Sequence, residues 1–460
     1  MSGNHDVAVA EREPDRTDTV AYAEARHRPP AGDEVRDPSA ARIGEMVRPG
    51  WVHSAVYTDE GIFDLEMRRI FHRTWVYVGH ESEIKDRGGF RVRRIGRQPV
   101  IFVRGGDDQV RVLLNRCRHR GASVCETEAG REKFFRCWFH GWTYDNTGKL
   151  VDVTGPEGYG PDFDPADHSL TPAARVDNYR GFYFASLSGE GPALAEHLGL
   201  ATKMIDLLVD ASPTGVLDVN AGYNRTVYNG NWKLVGMDGY HPHYVHASVV
   251  SAWQRDSDAG SAATHRADPF DTASIATTRD LGNGHSMLDM REHRLKHFDG
   301  YRNFLAKAPG GQSYIDAIQA VRPGDYAELV LAMAGDPHIG IFPNMQLIGN
   351  QVRIINPISA GKTEVVMFPV MLGGVPDEIN TLRLRQHEHF YGPASSGSPD
   401  DAEIFERVQV GMNAVVDPWI DLSRGMNREY VDTDGSIVGH ISDEVPQRGQ
   451  MRQWRTLMTA

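Results

Sequence analysis

The sequence predicts an α+β fold: a small antiparallel β domain, then a larger domain that combines helices with an antiparallel sheet. Three observations predict it. Between Trp75 and about Val176 the chain is made of short β-branched and aromatic runs separated by Gly and Asp turns. Later, HIGIFPNMQLIG, VRIINPIS and TEVVMFPVML follow one another as consecutive strands. Helical patterns occur as well, at 58–71 and from Ser398 onward. At 460 residues the chain is long enough for two domains and a large core.

In order, residues 1–45 are rich in Arg, Asp, Glu, Ala and Pro, and Tyr22 is their only aromatic. Such a stretch buries too little apolar surface to offset its ordering entropy, so it reads as a mobile tail. Residues 46–74 read as a helical lead-in that packs on the larger domain. Thr58 is its candidate N-cap, and Ile62, Leu65, Ile70 and Phe71, with Met67 between, give a rough stripe. Residues 75–176 form the small β domain, with FRVRRI, PVIFVRG, VRVLLN and the WTYDNTGKL hairpin as strands. GPEGYGPDFDPADHSL is irregular and wraps its surface. Residues 177–460 form the larger domain, entered through the buried strand GFYFASL. Within it, residues 254–285 are polar and rich in Gly, Ser and Ala, and read as a lid or insert.

Composition excludes several classes. The net charge of −13 argues against nucleic acid, which needs a basic footprint. Three cysteines give no disulfide framework, which fits a reducing cytoplasm. No run of eighteen apolar residues occurs and no apolar signal core is seen, so the expectation is a cytoplasmic chain with no membrane partner.

The chemistry concentrates in NRCRHRGASVCETEAGREKFFRCWFHGWTY. Cys117-x-His119 is followed, after seventeen residues, by Cys137-x2-His140. A structural zinc site keeps its cysteines together and its histidines together. Here each loop supplies one thiolate and one imidazole. That suits a [2Fe–2S] cluster with one iron held by both sulfurs and the other by both ring nitrogens; a zinc ribbon is the alternative. Cys125 reads as a small buried apolar residue. A second constellation lies in NWKLVGMDGYHPHYVH. Asp238 and His241 are three apart and share a helix face, while Pro242 disturbs the ladder so that His246 can be aimed at the same point. Two histidines and a carboxylate on one face of the metal suit an Fe(II) that binds dioxygen.

The pattern CRHRG…CWFHGW, with Arg120, Gly121, Gly141 and Trp142, resembles the Rieske motif of the non-haem iron oxygenases, and Asp238-x2-His241-x4-His246 resembles the iron motif of their large (alpha) subunits. The resemblance covers roughly residues 50–455. It implies an aromatic-ring-hydroxylating dioxygenase, with a Rieske domain and an antiparallel catalytic sheet flanked by helices. It implies one [2Fe–2S] cluster on Cys117, His119, Cys137 and His140, and one mononuclear Fe(II) on His241 and His246. Asp238 then bridges to a Rieske histidine of a neighbouring subunit. His243 does not fit the spacing. The third iron ligand is expected in GPASSGSPDDAEIFERVQ, where Ser398 reads as a cap and Pro399 opens a helix. The resemblance selects Asp401; Asp400 is the alternative, and a first-turn acid is favoured by the macrodipole alone.

In one place the chain departs from the family: about three residues are missing between Asn231-Trp232-Lys233 and Asp238, close to one helical turn. The resemblance further implies O2 as co-substrate, NAD(P)H electrons arriving through a reductase and ferredoxin, and a hetero-hexamer built on a trimer with a small beta subunit. GPAS…SPDD and DGYH tilt the substrate toward an aromatic carboxylate of benzoate type. A Rieske mono-oxygenase or demethylase acting on an aromatic compound is the other reading. The remaining histidines, among them His285, His293, His338 and His387, are read as structural.

Overall fold

In a computed structural model the described residues are 40–238, 275–333, 337–395 and 397–460, and residues 42–460 form one compact unit. The chain is helical at Ala40–Glu45, just before the lead-in, and residues 1–39 lie outside the described residues. The lead-in helix is Glu60–Glu66, capped not by Thr58 but by Asp59, whose side chain accepts from the Ile62 N–H at 2.9 Å. It runs on as a π-helical turn, Met67–Phe71. That turn explains the rough stripe. Ile62, Glu66 and Ile70 are buried, as are Phe63, Met67 and Phe71, a spacing of four that a regular 3.6-residue helix would rotate off the core.

The first β region holds a four-stranded antiparallel sheet in the order Val110–Leu114, Gln98–Arg104, Gly89–Ile95, Ala129–Arg131. A three-stranded sheet of Leu150–Asp152, Thr143–Asp145 and Phe134–Arg136 packs with it. Between them lies a core of Phe90, Ile101, Leu113, Phe135 and Tyr144. The Asp-Asn-Thr-Gly hairpin closes as its residues predict: the Asp145 carboxylate accepts from the N–H groups of Thr147 and Lys149. Strand Phe182–Ser186 pairs with both Arg175–Tyr179 and Val76–His80, which joins this region to the larger one.

The larger region is organised on a nine-stranded antiparallel sheet. Its order is Asn224–Tyr228, Lys362–Pro369, Gln351–Ser359, Met345–Ile348, Ile339–Ile341, His285–Asp289, Thr277–Gly282, Ile437–His440, Tyr430–Val431. The central strands read as continuous apolar runs because both faces are covered. Helices Thr202–Asp210, Gly311–Val321 and Gly324–Met333 share the core with it.

The polar stretch 254–285 is corrected at its end: Thr277–Gly282 and His285–Asp289 are a hairpin of this sheet, turning through Asn283, and residues 239–274 lie outside the described residues. The Gly282-Asn283-Gly284 turn, with positive φ at all three residues, was the overlooked hairpin signal.

His285 is structural, as expected. Its Nδ1 accepts from the Phe342 N–H at 3.0 Å and its Nε2 faces the His197 carbonyl at 2.7 Å, which fixes the neutral Nε2–H tautomer. Burial holds His285 down to about 4, and burial with His285 beside it holds His197 down to about 3. A base depressed in the fold gives stability that is complete above the ordinary value near 6.5 and is lost as pH falls toward the depressed one. Thermal denaturation should therefore show a loss between pH 6.5 and about 4 on the order of 3 kcal/mol per buried ring. The slope should flatten in His285→Gln; an unchanged slope would assign the acid sensitivity to other groups.

Candidate metal centres

The two Cys/His loops are built alike. In the first, the Gly121 N–H reaches the Cys117 carbonyl at 3.0 Å and the Cys117 N–H reaches the Ala122 carbonyl at 2.7 Å. In the second, Gly141 and Trp142 make the same pair of bonds with Cys137 at 2.9 and 2.8 Å. Each turn needs a left-handed residue, met by Gly121 at φ 81° and Gly141 at φ 74°. A Cβ on Gly141 would also lie 2.7 Å from Thr154 Oγ1.

These loops bring the four predicted residues together in two pairs. Cys117 and Cys137 are buried side by side; burial pushes the Cys137 thiol up, and Cys117 adds to the rise. The His119 and His140 rings meet edge to face at 4.6 Å, nearer the surface. His140 Nδ1 is buried and makes no hydrogen bond among the described residues. Also among the described residues, no three Cys, His, Asp or Glu side chains converge on one ion. Two sulfurs, two imidazoles and an orphaned ring nitrogen, grouped two and two, fit a binuclear cluster and not a single zinc.

The sequence reading missed what surrounds these groups. Tyr144 OH accepts from the Arg118 N–H at 3.0 Å and lies 3.3 Å from Cys117 Sγ, to which it donates when that sulfur is a thiolate. Trp142 stacks on His119 at 5.0 Å, and Tyr159, Phe163 and His168 from the irregular 155–170 segment close around it. The only local signal was the W-x-Y alternation after His140, which puts both rings on one strand face. Trp138 and Phe139 project at the tip, 84% and 55% exposed, so the imidazole side of the site is the accessible one.

For the second constellation, the backbone of Asp238 is helical, in helix Trp232–Asp238 as far as it is described, while its side chain, and His241, His243 and His246, lie outside the described residues. The proposed third ligand is described. Helix Ser398–Gly411 carries Pro399, Asp400 and Asp401 in its first turn, with Gly397 and not Ser398 at the cap and no side-chain cap bond. Asp401 faces a small cavity that it shares with Val235, one turn before Asp238, and with Tyr228, Met367, Ala402 and Phe405. Asp400 does not line it. The fold thus sets the helix ending at Asp238 against the helix bearing Asp401, although 163 positions separate the two acids in sequence.

Comparison with known proteins agrees with this geometry. Residues 74–162 match the Rieske [2Fe-2S] domain family, and residues 215–458 match the ring hydroxylating alpha subunit (catalytic domain) family. The chain is 35% identical to the 2-halobenzoate 1,2-dioxygenase large subunit of Burkholderia cepacia, over 80% of this chain and 79% of that one. It is 34% identical to the anthranilate 1,2-dioxygenase large subunit of Acinetobacter baylyi, over 81% and 80%. Among solved structures, naphthalene 1,2-dioxygenase from Rhodococcus sp. bound to indole superposes with a TM-score of 0.77 at 26% identity, over 92% of this chain and 98% of that one. Among the described residues no helix is long and apolar enough to cross a membrane.

Proposed function

Because the chain belongs to the family of Rieske-type ring-hydroxylating oxygenase alpha subunits, we propose that it cis-dihydroxylates an aromatic carboxylate of benzoate type. The class is an oxidoreductase that works with a ferredoxin or reductase. The observation that carries the site assignment is the grouping of Cys117 with Cys137 and of His119 with His140. For the substrate, support comes from the relatives, which are named for 2-halobenzoate and anthranilate.

In this reading the lead-in spans 46–74, the Rieske domain 75–176 and the catalytic domain 177–460. Cys117, His119, Cys137 and His140 hold the cluster; His241, His246 and Asp401 hold the iron. When bound, these groups supply single-electron transfer and a ferrous centre for dioxygen. The buried Cys117 and Cys137 would hold the cluster on its inner side, and His119 and His140 would hold it on the side nearer the surface. Asp238 would accept a hydrogen bond from a Rieske histidine of a neighbouring subunit. Val235, Met367 and Phe405 line the apolar part of the cavity that Asp401 faces, and Arg353 lines it as well. The ring takes up both atoms of O2 with two electrons, drawn from NAD(P)H through the reductase, and two protons from the medium, one of which replaces that released when NAD(P)H is oxidised. The relatives' description as large subunits supports a small beta partner in a hexamer built on a trimer.

The test is turnover of a benzoate series by the reconstituted system under 18O2. Two labelled oxygens in a cis-diol carboxylate support the proposal. One labelled oxygen, or loss of an alkyl group, would establish a mono-oxygenase or demethylase instead, and turnover of unsubstituted arenes alone would remove the carboxylate.

A smaller effect tests the cluster pocket. Tyr144→Phe removes a hydroxyl aimed at Cys117 Sγ, and a sulfur deprived of a donor carries added negative charge less well. The midpoint potential should fall by roughly tens of millivolts, the scale of one hydrogen bond to a charged group. An unchanged potential would mean that the hydroxyl is turned elsewhere.

A further inference from the structure

The helix that leads into Asp238 is locked at its start by buried polar contacts. Glu66 and Lys233 are both fully buried and form an ion pair at 2.5 Å. The same carboxylate accepts the indole N–H of Trp232 at 2.7 Å and of Trp454 at 2.6 Å. It therefore ties the π-helical lead-in, the start of this helix and the C-terminal helix Val445–Thr459 to one point. Beside it, the Asn231 amide donates to the carbonyls of Tyr57 and Ala360 at 3.1 and 2.7 Å. Gln409 joins the second helix to this knot: its Oε1 accepts from the Asn231 N–H at 3.0 Å and its Nε2 donates to the Tyr57 carbonyl at 3.2 Å. Gln409 lies eight residues beyond Asp401 on Ser398–Gly411.

A buried ion pair is weak evidence for stability, since apolar residues of like volume do as well or better; where such a pair is kept, it can serve to fix one arrangement. Here the arrangement fixed is the register between two helices, one leading into Asp238 and the histidines, the other presenting Asp401. We propose that Glu66, Lys233 and Gln409 are positioning residues for the mononuclear iron, setting the distance between the Asp401 carboxylate and the histidine ligands. None of them touches substrate or metal. The inference rests on the assignment of Asp401, His241 and His246 as ligands made above.

The test uses the full chain with its native electron donors and three variants. Gln409→Leu removes two hydrogen bonds at a half-buried position, Glu66→Gln leaves Lys233 without its counter-charge, and Glu66→Gln with Lys233→Met replaces the pair by uncharged groups. The readouts are the rate at which a ferrous chelator strips the mononuclear iron, product formed per O2 consumed, melting temperature, and the Rieske visible spectrum as an internal control. Iron loss should quicken roughly ten-fold or more, the usual effect of removing groups that orient a metal's ligands, with less product per O2 and an unchanged Rieske spectrum. The double variant and Gln409→Leu decide the matter even where Glu66→Gln fails to fold. Either of them holding iron and coupling like the parent would overturn the proposal, as would iron loss that merely follows a falling melting temperature. Retention of mononuclear iron in Asp401→Ala would instead overturn the ligand assignment and leave the knot structural.

Discussion

Asp401→Ala is expected to strip the mononuclear iron while the cluster's iron, sulfide and visible spectrum persist, and to lower turnover by roughly a thousand-fold or more, since a facial triad short of its carboxylate loses a charged ligand. Asp400→Ala is the control. Both acids sit in the first turn of Ser398–Gly411, where a negative charge stabilises the helix end by about 0.3–1 kcal/mol, so both substitutions remove the same dipole contribution. Only Asp401 lines the cavity shared with Val235, so only its loss should reach the metal. Iron analysis with electron paramagnetic resonance of the anaerobically reduced protein separates the two sites. Normal iron in Asp401→Ala together with loss in Asp400→Ala would move the ligand by one residue.

The second large effect is expected in Asp238→Asn. The amide keeps the size of the carboxylate and loses its charge, so the hydrogen bond it accepts from a protonated partner is no longer charge-assisted. Both metals should stay bound, and steady-state turnover should fall by roughly a hundred-fold or more. The diagnostic readout is single turnover: after chemical reduction, exposure to O2 and substrate should leave the Rieske signal of the variant reduced, where the parent's is oxidised. A variant that oxidises its cluster at the parental rate would take Asp238 off the electron path. The missing helical turn upstream makes this residue an informative one. Asp238 lies on the helix that starts at Trp232, so its place depends on how that start is anchored.

The two Cys/His loops were legible because their information is local. Cys-x-His and Cys-x2-His, each followed closely by glycine, encode tight turns whose geometry needs nothing from the rest of the chain, and Gly121 and Gly141 stand where a left-handed residue is required. The Thr58 cap was misplaced by one residue because Thr58 and Asp59 both carry a capping oxygen and only the bond to the Ile62 N–H distinguishes them. The stretch 277–285, a strand and the turn after it, reads as loop because polar Thr, Arg and Asp dilute the alternation. Its burial comes from the neighbouring strand at 437–440, which local pattern does not reveal.

By itself the sequence determined the class of chemistry: two soft and two borderline ligands in paired loops, a His-rich segment with an acid at helical spacing, and too much negative charge for nucleic acid. The tertiary structure decided which carboxylate of 400 and 401 faces the cavity, that Tyr144 reaches Cys117, and that Glu66, Lys233 and Gln409 join helices far apart in the chain. The division has a physical reason. Ligand identity and turn geometry are properties of a few consecutive residues. Which face of a helix meets a cavity, and which buried charge finds its partner, are set by packing between segments that meet only when the core closes.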